Sequence, residues 1–238
     1  DFMLSFTAKR VYNQLEKYPT FRDYIGQIYA AFASKGNKRK ISGQNNIISH
    51  KLCILNNVTF NIIGDNNTVI IDKYTVLNNV HFHLAGNGHK VHIGESCKVT
   101  QSATIWIEDD NCSLYIGDKT FIIHAGIALT ELNSKIHIGA NCIFSYDIDI
   151  RCGDSHSIID LETKKRINYA QDINIQDHIW VGAHVCILKG VTIGADSIVA
   201  AGSVVTKSAD SNVVIAGNPA KVVRTGVTWE KDRIYDSE

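Results

Sequence analysis

Long apolar runs are missing from this 238-residue chain: none approaches the roughly 20 residues that a membrane span requires, and no secretory signal pattern is visible. Net charge is missing too. The 24 basic and 24 acidic residues cancel, which removes the electrostatic case for nucleic acid or an anionic membrane as partner. Only two prolines occur, Pro19 and Pro219, both near the ends. The six cysteines (Cys53, Cys97, Cys112, Cys142, Cys152 and Cys186) include no Cys-x-x-Cys pair, which weakens a structural zinc or redox reading. Reduced thiols imply a cytoplasmic protein. Asp1 as first residue leaves the native start open.

What is present is a repeat. Over residues 175–205 an aliphatic residue falls every sixth position: Ile175, Val181, Ile187, Ile193, Val199 and Val205. Helices need steps of three and four and amphipathic strands steps of two, so a six-step register fits neither. It fits an all-β solenoid, a hexapeptide β-helix whose flat faces stack their aliphatic residues inward. Gly182, Gly194 and Gly202 are expected at or near corners, where a Cβ would oppose the backbone. Cys97 and Cys142 take the fifth place of their hexads and read as core filler.

Residues 1–40 follow another pattern. Phe6, Val11 and Leu15, then Phe21, Tyr24, Ile25, Ile28, Tyr29 and Phe32, fall at helical steps on either side of Pro19. Two helices are expected, with the apolar stripe packed on the first open turn. Gly36–Lys40 reads as a short basic link. Residues 41–224 are assigned to the solenoid and 225–238 to a tail. Ile63-Gly64, Ile93-Gly94, Ile116-Gly117 and Ile138-Gly139 each look like the start of a turn, at separations of 30, 23 and 22 residues. Against an ideal turn of about 18, the excess must bulge from corners or lengthen a face, and roughly eight or nine turns are expected. The many asparagines suit left-handed corners.

The register breaks once. Ile138, Phe144 and Ile150 march at six, so the next inward position is His156, after which the period is lost until Ile175. Residues 151–172 therefore form an excursion, opening with Gly153-Asp-Ser-His156, and long loops thrown from a rigid scaffold are where function usually sits. His178 and His184, with five residues between them in the best hexads, fall at equivalent places on successive faces, which disfavours a metal site. The other histidines (His81, His83, His89, His92, His124 and His137) read as surface or corner residues.

Trp180-Val-Gly-Ala-His-Val, Ile187-Leu-Lys-Gly-Val-Thr-Ile-Gly194, Ala201-Gly-Ser-Val-Val-Thr-Lys207 and Ala216-Gly-Asn-Pro-Ala-Lys221 resemble the hexapeptide-repeat O-acetyltransferases. The Asn-rich early turns, the Asp-x-His at the loop mouth and Arg166-Ile-Asn168 are most similar to capsule polysaccharide acetyltransferases, including those that modify sialic-acid capsules. The resemblance is strong over 138–224, weak over 41–137 and absent from the N-terminal segment.

The resemblance implies a left-handed parallel β-helix, assembled as a homotrimer with acetyl-CoA bound between subunits and a carbohydrate acceptor. His156 falls on the catalytic histidine, the general base for a sugar hydroxyl, and Asp154 could orient it or simply form a turn. Gly182, Ala183, Ala201 and Gly202 would line the pantetheine arm. Lys207, Lys221 and Arg224 would meet the CoA phosphates, with Asn218 and Pro219 beside the adenine and Thr206 also assigned to the cofactor site. Trp180 would wall the thioester end of the cleft, and Tyr146, Asp147 and Arg151, preceding the loop on the same edge, would hold the acceptor. No metal is implied. Two rival functions share features with this one: an N-acetyltransferase of a nucleotide-linked amino sugar, and a non-catalytic trimeric scaffold.

Overall fold

The structure, a computed structural model, describes residues 19–235. It opens with α1 (Pro19–Ala33), whose first residue is a proline, a position where the missing N–H costs nothing. The helix expected ahead of it, with Phe6, Val11 and Leu15, lies outside the described residues. α1 packs on β3 (Ile54–Asn56). The Leu55 amide donates to Ser34 Oγ at 3.0 Å and the Tyr74 hydroxyl to Asp23 at 2.7 Å. Two members of the expected inward stripe face outward: Phe32 is 86% exposed and Ile28 is also exposed, while the side chains of Phe21, Tyr24, Ile25 and Tyr29 lie outside the described ones. Among its described side chains Ala30 is buried, and a Cβ at Gly26 would lie 3.4 Å from the Leu52 side chain. No described helix is long and apolar enough to cross a membrane.

A parallel solenoid follows, with three columns of strands. The first column, here the wide face, runs β1 (Lys38–Ser42), β4 (Thr59–Ile63), β7 (Val80–Ala85), the distal parts of β9 (Lys98–Glu108) and β11 (Phe121–Leu129), β14 (Ile148–Arg151), β17 (Cys186–Leu188) and β20 (Val204–Val205). The second runs β2 (Ile47–Ser49), β5 (Thr68–Ile71), β8 (Lys90–Ile93), β10 (Ser113–Ile116), β12 (Lys135–Ile138), β15 (Ile173–Ile175) and β18 (Thr192–Ile193). The third begins with β3 and β6 (Val76–Asn78), continues through the proximal parts of β9 and β11, and ends with β13 (Ile143–Phe144), β16 (Trp180–Val181), β19 (Ile198–Val199) and β21 (Val213–Gly217). β22 (Ala220–Thr225) turns back antiparallel on β21. About eight turns result, as expected. The stretch read as a basic link is already the first strand from Lys38 onward.

Turn length also departs from expectation. Ile63 belongs to the wide face and Ile93 to the second, so their 30-residue separation is not one turn. The partner of Ile93 is Ile71, which lacks a following glycine. Early turns are nearly uniform, Ser42 stacking under Ile63, Ile63 under Ala85 and Ala85 under Glu108. Late turns shorten to the hexapeptide ideal, as in Ile187 under Val205. The surplus lengthens the wide face. Its early turns bury two adjoining inward columns, Phe60–Phe82–Ile105–Ile127 and Ile62–Leu84–Ile107–Leu129, where later turns continue the first with Ile150, Ile187 and Val205. Phe60 and Phe82 stack with centroids 4.9 Å apart.

Left-handed backbone at the corners is taken by asparagine, by glycine and by other residues, among them Leu52, Tyr74, Ser96, His178 and His184. Asn45, Asn57, Asn66, Asn79 and Asn141 are all left-handed, a conformation their short polar side chains tolerate. Of the three glycines singled out, only Gly202 has positive φ, at 71°. Gly182 and Gly194 serve another purpose: a Cβ would lie 2.6 Å from Ala201 N and 2.3 Å from Ser211 N respectively, so these glycines let the next turn approach. Cys97 and Cys142 are buried in the core, and burial pushes their thiols up to about 11 and about 12.

Candidate functional site

The excursion leaves the wide face after Arg151 and re-enters the second face at Ile173. Cys152 is still inside the tube, but His156 is exposed rather than the next inward residue. Its far end is a short hairpin: Ile159 bridges Arg166, and the Asp160 carboxylate accepts from the Thr163 amide at 2.7 Å. Ile158, Ile159, Leu161, Ile167 and Tyr169 on this loop are all exposed.

Asn168 ties the loop mouth together. It is buried, and its side-chain amide donates to the Asp154 carboxylate at 2.7 Å and to the His156 carbonyl at 2.8 Å, while its Oδ1 accepts from the Ile158 amide at 2.7 Å. Satisfying both ends of a buried amide fixes the backbone from His156 to Ile158 and the Asp154 side chain ahead of it. Arg166 supports the hub, donating from Nε to Asn168 Oδ1 at 3.1 Å and gripping the Glu131 carboxylate through both terminal nitrogens. From the turn above, Lys189 donates to Asp154 and, at 3.0 Å, to the Asn168 carbonyl. The Lys189 ammonium, with the Asn168 amide, holds the Asp154 carboxyl below its usual range. Among the described residues Asp154 is thus engaged by Lys189 and Asn168, and no hydrogen bond joins it to the His156 ring. Sequence reasoning missed Lys189 entirely.

The expected acceptor residues separate. Arg151 stands at the loop end of β14, donating to Asp149 at 2.6 Å. Tyr146 and Asp147 precede β14, at the opposite corner of the wide face, so they do not share the loop's edge. There Asp147 bridges two imidazoles, His124 at 2.7 Å and His184 at 3.2 Å. Gly182, Ala183, Ala201 and Gly202 stack at this same corner, with Gly202 N donating to Ala183 O at 2.8 Å. Thr206 and Lys207 follow β20, at the corner from which the loop departs, and both are exposed. Asn218 and Pro219 form the exposed tip of the β21–β22 hairpin, with Lys221 and Arg224 on β22.

Trp180 lies on the third face, 45% exposed. His156 and Trp180 therefore occupy different sides of one protomer. Beside Trp180 sits a residue the sequence reading assigned to a tail. Trp229 is buried, stacks on the His178 ring with centroids 4.3 Å apart, donates its indole N–H to the His178 carbonyl at 2.8 Å and lies 6.2 Å from the Trp180 ring. The signal was a tryptophan in a charged terminal stretch. His178 itself pairs with Asp196 at 2.8 Å, and among the described residues no group of three potential ligands is placed to hold a metal.

No protein-family model matches the chain. Individual proteins do. It is 36% identical over 116 residues to the polysialic acid O-acetyltransferase of Escherichia coli O1:K1, covering 49% of this chain and 38% of that one. It is 35% identical over 122 residues to the enzyme of the same name from Neisseria meningitidis, covering 43% and 56%. The aligned stretch thus spans between about two fifths and just over half of these relatives. The crystal structure of the polysialic acid O-acetyltransferase OatWY superposes with a TM-score of 0.76 at 30% identity, covering 84% of this chain and 94% of that one. By this shared tube, a left-handed parallel β-helix, and by its sequence, the chain belongs to the hexapeptide-repeat O-acetyltransferase family.

Proposed function

We propose that this chain transfers acetyl from acetyl-CoA to a carbohydrate hydroxyl, in a capsule or other surface polysaccharide, and works in the cytoplasm as a homotrimer. One observation carries the reading: the loop mouth holds His156 exposed, with its own carbonyl and the Ile158 amide held by the buried Asn168, which also grips the Asp154 carboxylate. A sugar hydroxyl is a weak nucleophile, and an imidazole, which titrates near neutral pH in general, suits removal of its proton. The His156 ring would accept that proton as the sugar oxygen bonds to the thioester carbonyl carbon. It would return the proton as the C–S bond breaks and the CoA thiol departs. Direct transfer of this kind needs no acyl-enzyme.

Gly182, Ala183, Ala201 and Gly202, small and at the surface, suit the pantetheine arm. Thr206, Lys207, Lys221 and Arg224 suit the CoA phosphates, and Asn218 and Pro219 the adenine. The trimer is supported by two features. His156 and Trp180 stand on different sides of one protomer, so a site using both needs a second copy. The loop also exposes Ile158, Leu161 and Tyr169, apolar surface of the kind that subunit contacts cover.

The test is thiol release from acetyl-CoA with a carbohydrate acceptor. His156→Ala should retain the solution mass and CoA affinity of the wild type and lose about 100-fold or more in turnover. Undiminished turnover would remove His156 from the mechanism, and absence of acceptor-dependent thiol release by the wild type would reject the transferase reading.

A further inference from the structure

On the outside of the wide face, next to the loop mouth, lies a groove of about 540 Å³, within the roughly 300–1,000 Å³ usual for small-molecule sites. Strand register explains its shape. Three consecutive turns stack Thr104, Gly126 and Asp149 in one outward column and Trp106, Ala128 and Arg151 in the next. The middle turn contributes only glycine and alanine, so it forms a floor. Trp106 rises on one side and the Asp149–Arg151 pair on the other, and Ser155 of the excursion reaches the rim.

The Trp106 wall is a built platform. His83, from the turn below, stacks on its indole with centroids 3.9 Å apart at 26°, yet Trp106 remains 37% exposed. Burial, and the neighbouring His81, lower His83 from its usual value against the opposing pull of Glu108, which favours the neutral ring on the platform. The groove's charge is equally specific. Arg151 is neutralised by Asp149 at 2.6 Å. Glu108, at the end of the Trp106 strand, has no ion-pair partner among the described residues. The depression adjoining it contains Asp109 and Asp110, and its one guanidinium, Arg166, is taken by Glu131.

Resting on the acetyltransferase reading, we propose that this groove is the acceptor subsite, and that it takes an uncharged, hydroxyl-rich saccharide segment rather than a polyanionic one. A pyranose ring offers an apolar C–H face that lies on an aromatic plane, and its hydroxyls match the paired carboxylate and guanidinium opposite. A sialylated polymer would bring one carboxylate per residue to a surface where acidic groups outnumber free cations, and like charges there repel. The groove's position at the rim of the loop bearing His156 would let a chain lying on the floor present one hydroxyl at the loop mouth.

The test measures equilibrium binding of neutral hexose oligosaccharides and of oligosialic acids of matched length to the full chain without acetyl-CoA, and separately thiol release with each acceptor. Neutral oligosaccharides should bind more tightly than oligosialic acids, with the gap narrowing as salt is raised. Trp106→Ala should weaken neutral binding about tenfold, the weight of one well-placed aromatic contact, while Trp106→Phe retains most of it. Glu108→Lys should improve oligosialic acid binding. Oligosialic acid binding as tightly as the neutral series at low salt, or neutral binding unaltered in a folded Trp106→Ala variant, would overturn the assignment. Binding that follows this pattern without thiol release from any acceptor would sustain the groove and reject the transferase reading; thiol release indifferent to every groove variant would do the reverse.

Discussion

Lys189 reaches down one turn of the tube to donate to Asp154 at the root of the excursion. The two residues are 35 positions apart, and their pairing is what the loop mouth rests on. Lys189→Met keeps the stem and removes the ammonium, leaving Asp154 with Asn168 alone. The expected result is faster amide exchange at Ile158 and Asn168, a several-fold fall in turnover, and an unchanged midpoint for unfolding of the tube. Unaltered exchange in this variant would mean that the loop is held by Asn168 and Arg166 without help.

The same pair gives the loop a pH dependence of definite sign. The folded Asp154 carboxyl titrates below its unfolded value, first because of the Lys189 hydrogen bond. Its contribution to docking is therefore complete above the ordinary carboxylate range and is lost as pH falls through the depressed value. Loop protection followed by hydrogen exchange should hold to the bottom of that range in the wild type and fail at higher pH in Lys189→Met. A loop that loosened instead as pH rose through neutrality would contradict the assignment.

Trp229→Ala should cost about 3 kcal/mol or more of stability, since a large buried aromatic and its hydrogen bond are both lost. Trp229→Phe should recover the stacking on His178 but not the indole hydrogen bond. Thermal unfolding of the pair separates the two contributions, and the fluorescence of Trp180 should shift in the alanine variant as its neighbour disappears. An alanine variant that melts with the wild type would show that the segment after Thr225 is not part of the packed structure.

Two glycines of the final turns should respond to alanine for different reasons. At Gly182 the added methyl meets Ala201 N at 2.6 Å, and relieving it means parting two turns, at a cost of about 1–3 kcal/mol. At Gly202 nothing lies within 4 Å, so only the left-handed backbone is penalised, by about 1 kcal/mol. Chemical denaturation should rank Gly182→Ala below Gly202→Ala, and the reverse order would assign the greater strain to conformation.

The solenoid was legible because its period leaves a mark on every turn: Val181, Ile187, Ile193 and Val199 all face inward where six-step counting puts them. The wide face was not, because its surplus residues in strands such as β7 and β11 keep the two-step alternation of any strand and disturb only the count between turns. Ile63 was matched with Ile93 for that reason, when the register partner, Ile71, carries no glycine flag. At the loop, Gly153-Asp-Ser-His156 announced itself by breaking the period, but its fastening could not be read in advance. Lys189 sits in a regular hexad and looks like any solvated lysine, and its partner is set by how two turns stack. Tyr146 and Asp147 were misplaced by proximity in sequence, since four residues of β14 carry the chain from one corner of the prism to the next.

The broad early turns have a consequence for how such a protein can change its taste. Because the groove floor is strand rather than loop, the outward positions of β9, β11 and β14 can be rewritten one at a time while every inward neighbour keeps its place in the packed interior. New acceptors are then within reach of single substitutions that leave the tube's melting behaviour nearly untouched, a separation of recognition from architecture that a site assembled from flexible segments does not possess.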